Sequence, residues 1–113
     1  MRFAPEQIAA TYEYLLSFKP FSSWGLPPVD EVKFVVNKDG GTRGTWCFRN
    51  KHVITISSVC VTHMGTLLRT MAHEMVHAGQ YVRGAETKAV HNADFYKQAA
   101  VICKRFAWDE GIF

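Results

Sequence analysis

His73-Glu74-Met75-Val76-His77 decides how this chain is read. The two histidines are four residues apart, a spacing that on a helix stacks them one turn apart on the same face. Two imidazoles placed that way can close on one metal ion. Glu74, directly after the first, is then held where it can take a proton from a water on that ion. The reading requires a helix beneath the motif, a cleft in front of it and a third ligand.

The flanking residues supply the helix. Met64, Leu67, Leu68, Met71, Ala72, Met75 and Val76 form an apolar stripe at helical spacing. The stripe predicts a helix from about His63 to Val82, with Thr62 as N-cap and Gly84 as its stop. His73 and His77 flank the stripe on the face shared with Arg69, Thr70 and Gln80, so one side packs and the other opens. Upstream, Pro5 to Phe18 reads as a first helix carrying Ile8, Tyr12, Leu15 and Leu16, and residues 22–28 as a loop. Val32 to Val36, Gly44 to Arg49 and His52 to Val59 read as strands separated by turn residues, which predicts an antiparallel meander. Downstream, a last helix is expected from Ala93 to Trp108, with Tyr96, Ala99, Ala100, Cys103, Phe106 and Ala107 on its core face. The expected fold is therefore α+β: an N-terminal helix, a small three-stranded antiparallel sheet, the motif helix and a C-terminal helix, all in a single domain over 1–113.

Bulk properties narrow the setting. The chain has 113 residues, 48% hydrophobic and 20% charged, with a net charge of +3. This is ordinary for one globular domain and only mildly basic, so nucleic-acid contact is permitted by the charge but not indicated by it. Cys47, Cys60 and Cys103 are far apart, with no C-x-x-C pair, as expected of small apolar side chains in a reducing compartment. The N-terminal residues lack a signal-peptide core and no apolar run approaches a membrane span, so a cytoplasmic location is expected and no membrane partner.

A catalytic metal centre needs three protein ligands. His52, His63 and His91 are the remaining histidines, and Glu86, Asp94, Asp109 and Glu110 the downstream carboxylates. His91 has the best position: it follows His77 by enough chain for the helix to end and turn back, and it precedes a helix that must pack on the motif helix. Spacing alone leaves open whether His91 is a ligand or an exposed loop histidine.

At this point the chain resembles the SprT-like metallopeptidases, the group that includes the Spartan proteases of DNA–protein crosslinks. Their pattern is H-E-x-x-H, a connector, then H-G-x-x-F opening a helix. Here it reads His73-Glu74-Met75-Val76-His77, then His91-Asn92-Ala93-Asp94-Phe95. The approach Leu67-Leu68-Arg69-Thr70-Met71-Ala72 and the strand region from Gly44 to Ser57 are similar too, so the likeness covers roughly Leu26 to Trp108. The resemblance implies a zincin-like minimal metallopeptidase domain in which His73, His77 and His91 hold one Zn2+ and Glu74 is the general base. Asn92 stands where the family usually has Gly, and both suit a helix N-cap. Asp94 falls in the first turn, where it suits the helix dipole and could orient a ligand histidine. Many family members add a C-terminal zinc- or DNA-binding module. The absence of a cysteine cluster here predicts a domain without a separate DNA-binding or zinc-ribbon module, which weakens the case for DNA as a partner.

The implied chemistry is hydrolysis of peptide bonds in protein or peptide substrates, through a zinc-bound water that Glu74 deprotonates. The substrate is expected alongside an edge strand, the second or third. Tyr81, Arg83 or Tyr96 could add a donor to the oxyanion. Trp46 and Phe48, interleaved with Arg43, Arg49 and Lys51, could stack bases and hold phosphates. Simple alternation of a buried aromatic face and a wet polar face explains the same pattern. The alternative function is a non-catalytic module, stabilised by zinc, that binds protein or DNA; a base at position 74 has no use there.

Overall fold

A computed structural model describes residues 2–113. Helix α1 (Pro5–Leu16) starts on Pro5, and Ala4 N–H donates to Gln7 Oε1 at 2.7 Å, so its first turn is capped. Its inward face buries Ile8, Tyr12 and Leu15. The Tyr12 hydroxyl donates to the Pro27 carbonyl at 2.6 Å, and burial pushes its pKa up.

Strands β1 (Val32–Asn37), β2 (Gly44–Phe48) and β3 (His52–Ser57) form one sheet in the order β1-β3-β2. β2 pairs antiparallel with β3, as expected of the tight turn at residues 49–51. β1, however, runs parallel to β3, with Phe34 opposite Ile54, so the sheet is mixed rather than an antiparallel meander. The turn residues 38–43 do not close a β1–β2 hairpin. They cross the end of β3 instead: Ser57 N–H donates to Arg43 O at 2.8 Å, and the Ser57 hydroxyl donates to Asp39 O. The reason is burial. β3 carries Ile54 and Ile56, exposed by 0% and 1%, and the most apolar strand takes the centre. That leaves β2 on an edge, and the third strand is excluded as the place where a substrate could add to the sheet.

Helix α2 (Met64–Arg83) carries the histidine pair and packs Leu67, Met71, Met75 and Val76 into the core with Ile8, Leu15 and Phe21. Its N-cap is His63 rather than Thr62, because the ladder begins with Leu67 N–H donating to His63 O at 3.0 Å. Gly84 ends it in the left-handed conformation at φ 69°. Helix α3 (Ala93–Phe106) stops two residues short of Trp108, where Ala107 turns left-handed at φ 58°. No helix of the described residues is long and apolar enough to cross a membrane.

Gly79, in the C-terminal part of α2, is where the N-terminal segment locks on. A Cβ there would lie 2.5 Å from Trp24 Cε3, and Arg83 one turn on covers the same indole at 5.1 Å. In an ordinary helix Gly→Ala gains about 1 kcal/mol. Here overpacking against a rigid ring costs about 1–3 kcal/mol. Gly79→Ala is therefore expected to lower stability, by up to about 2 kcal/mol, in denaturant titration. A stability gain would show that Trp24 is not seated there.

Candidate metal centre

α2 and the start of α3 bring His73, His77 and His91 together. Their donor atoms all lie within 4.8 Å of one another, and the Nε2 atoms of His73 and His91 are 3.2 Å apart. Tetrahedral zinc with Zn–N near 2.0–2.1 Å sets its ligand nitrogens about 3.3 Å apart, so the donor set fits that ion. At that distance the two ring nitrogens can share either a proton or a cation. Burial, together with the neighbouring imidazoles, lowers the pKa of His73 to about 4. Burial and His91 do the same for His77, also to about 4. Both rings are therefore neutral at physiological pH, the form that binds metal.

Glu74 points from the same helix into the same cleft and is only 6% exposed. Burial raises its carboxyl pKa to about 7 in the metal-free chain. The cleft runs between α2, β2 and the connector after α2, lined by Gly44, Thr45 and Trp46 on one wall and by Thr87, Ala89 and Val90 on the other. β2 comes this close because residue 44 has no side chain: a Cβ there would stand 2.9 Å from Thr55 O and 3.0 Å from Thr70 Cγ2.

Comparison with protein-family models matches residues 12–108 to the SprT-like family. The chain belongs to the SprT-like family. No curated protein matches it in sequence. Membership makes this a metallopeptidase-like domain, and the three histidines of its SprT-like motif are the group able to hold a metal ion.

The supports of these three histidines in the SprT-like chain are partly unexpected. Gln80, one turn beyond His77, forms a side-chain hydrogen bond that favours the charged form of that ring. Its amide donates to Asn92 Oδ1 at 2.8 Å and to Asp94 Oδ2 at 3.1 Å. Asp94 therefore bears on His77 through Gln80, and it also pairs with Arg83 at 2.9 Å, which holds its carboxyl pKa at about 2. A main-chain oxygen of Phe113 bonds the His73 ring. Phe95 lies against all three imidazoles, closest to His91 at 4.3 Å between ring centres. Gln80 was visible in sequence as a helix neighbour; Phe113, at the far end of the chain, carried no signal.

Other expected site residues lie further out. Tyr81 stacks on Phe48 at 4.9 Å and packs beside Trp46 and His52, away from the cleft lining. Tyr96 is 61% exposed and lies 6.4 Å from His91 between ring centres. Trp46 lines the cleft and donates Nε1–H to His52 Nδ1 at 2.9 Å. Arg49 and Lys51 sit exposed on the β2–β3 turn.

Asn92 does more than cap α3. Its Oδ1 accepts from Phe95 N–H at 2.9 Å, and its Nδ2 donates to Ala85 O at 3.0 Å and Thr87 Oγ1 at 3.2 Å. It thereby ties His91 to the connector and to Gln80. Asn92→Ala is expected to cost about 1–2 kcal/mol through the lost cap. It should also weaken zinc affinity roughly 10–100-fold through the loosened ligand supports. Calorimetry of zinc binding reads the second effect; unchanged affinity would show that Asn92 does not position the ligands.

Proposed function

We propose that this SprT-like domain is a zinc-dependent peptidase acting on extended segments of protein substrates, with His73, His77 and His91 as ligands and Glu74 as general base. The observation that carries the proposal is the buried carboxyl of Glu74, facing the same cleft as the imidazoles of His73, His77 and His91. A metal kept only for stability would have no use for a carboxyl in that place.

Bound zinc supplies a Lewis acid and the activation of water near neutral pH. Glu74 takes a proton from the attacking water and returns it to the departing amine; a group matched to the working pH does both well. Phe95 and the packed face of α2 keep bulk water from the rear of the rings. Gln80 and the Phe113 main chain fix the orientation of His77 and His73. The outer edge of β2, with Gly44 and Thr45 on the cleft, offers main-chain hydrogen bonds to an extended substrate. Such an edge admits unfolded segments and excludes folded ones.

The test combines metal analysis with cleavage of a chemically unfolded protein. A single zinc per chain is expected, with cleavage lost on chelation and regained on adding zinc. A zinc-loaded protein that cleaves no unfolded polypeptide overturns the proposal.

A further inference from the structure

The cleft is charged differently on the two sides of Glu74. The side reaching the connector carries the carboxylate of Glu86, with Thr45, Trp46 and Thr87 around it. The other side is a hollow of about 170 Å³ bounded by Thr42, Arg43, Arg69, Thr70 and Phe113. Both sides share Gly44, His73 and Glu74, so a chain lying across the reacting centre enters both.

Two donors at the second hollow lack a partner, although the Glu74 carboxyl and the Phe113 main chain also line it. Arg69 Nε and Thr70 Oγ1 are buried with no hydrogen-bond partner, and Thr70 as a whole is only 6% exposed. Neither Arg43 nor Arg69 has an ion-pair partner among the described residues, where Arg83–Asp94 is the salt bridge. Buried donors left unpaired are costly, and in a native fold they call for an explanation such as a missing ligand. A planar guanidinium fork beside a hydroxyl matches a carboxylate, which can accept from both. A neutral carbonyl would satisfy one donor and leave the positive charge uncompensated.

We infer that the hollow between Arg43, Arg69 and Thr70 is a carboxylate subsite, binding an acidic group of the substrate beside the scissile bond. The inference rests on the peptidase reading for the words "scissile bond", but the anion site itself does not. The carboxylate can come from an acidic side chain or from a free chain terminus, and the two are separable.

The test uses alanine-rich peptides with a single Glu or Gln moved through successive positions, each made as the free acid and as the C-terminal amide. Binding is read by fluorescence anisotropy on the zinc-loaded Glu74→Gln protein, and turnover separately on the wild type. A carboxylate should tighten binding about 10–100-fold over its neutral counterpart, and added salt should shrink that ratio. Glu favoured over Gln among the amides assigns the site to a side chain; free acid favoured over amide, whatever the Glu position, assigns it to a terminus. Arg69→Gln and Thr70→Val should reduce the ratio. Arg43→Gln, on an exposed residue that the core does not need, should reduce it as well. Equal binding of all the peptides overturns the inference, as does turnover indifferent to charge. A charge preference in binding with no turnover of any peptide upholds the subsite and defeats the peptidase reading instead.

Discussion

Glu74→Gln is expected to lower cleavage of an unfolded protein by about 10²–10⁴-fold, with zinc content and fold retained. The substitution keeps the size and shape of the side chain and removes its ability to hold a proton in transit. It leaves His73, His77 and His91 untouched, so the metal should stay. Stability should not fall either, since Glu74 is 6% exposed and burial already disfavours its charge. His91→Ala provides the contrast: it should lose zinc and activity together. The pattern of full metal with little turnover is what separates a proton-transfer group from a ligand. Equal cleavage by variant and wild type would remove Glu74 from the chemistry.

The candidate histidine cluster was legible because each part of it lies in short-range pattern. Helical spacing around His73 and His77 and the cap-and-aromatic block from His91 to Phe95 are local facts, and the structure brings one donor atom of each histidine within 4.8 Å of the others. What local pattern cannot give is the order of strands. Turn residues at 37–41 signal a reversal equally well for a hairpin and for a crossover, and only the competition among three strands for the buried centre puts β3 between the others. That competition decides which edge faces the cleft. The same limit hid Arg43, Arg69 and Phe113 as neighbours. They lie in the loop before β2, on α2 and at the last residue of the chain, and only the folded topology gathers them around one hollow. Tyr81 shows the converse: it is one turn beyond His77 in sequence, yet it faces the aromatic cluster on β2 rather than the cleft.

The metal-free protein should gain stability as pH rises from about 4.5 to 6.5 and be most stable near the upper end. His73 and His77 have pKa values lowered from 6.5 to about 4 by burial, so their contribution is present above 6.5 and is lost as pH falls towards 4. Glu74 runs the other way. Burial raises its pKa from 4.5 to about 7, so its contribution is present below 4.5 and is lost as pH rises through 7. Between 4.5 and 6.5 the unfolded chain therefore holds two protons on His73 and His77, while the folded chain holds one on Glu74; His52, its pKa also lowered by burial, adds in the same direction as the two histidines. A difference of one proton is worth about 1.4 kcal/mol per pH unit at most. The two rings lie at the open cleft, and solvent screening reduces this to about 1–2 kcal/mol over the whole interval. Above 6.5 the sign reverses, because only Glu74 still differs. Glu74→Gln removes the opposing group, so the variant's dependence between 4.5 and 6.5 should be about twice as steep and its loss above 6.5 should vanish. Denaturant titrations across this range, in chelator, measure both slopes. Parallel curves for variant and wild type would mean that Glu74 does not titrate against the histidines, and that its burial beside them is not what governs its charge.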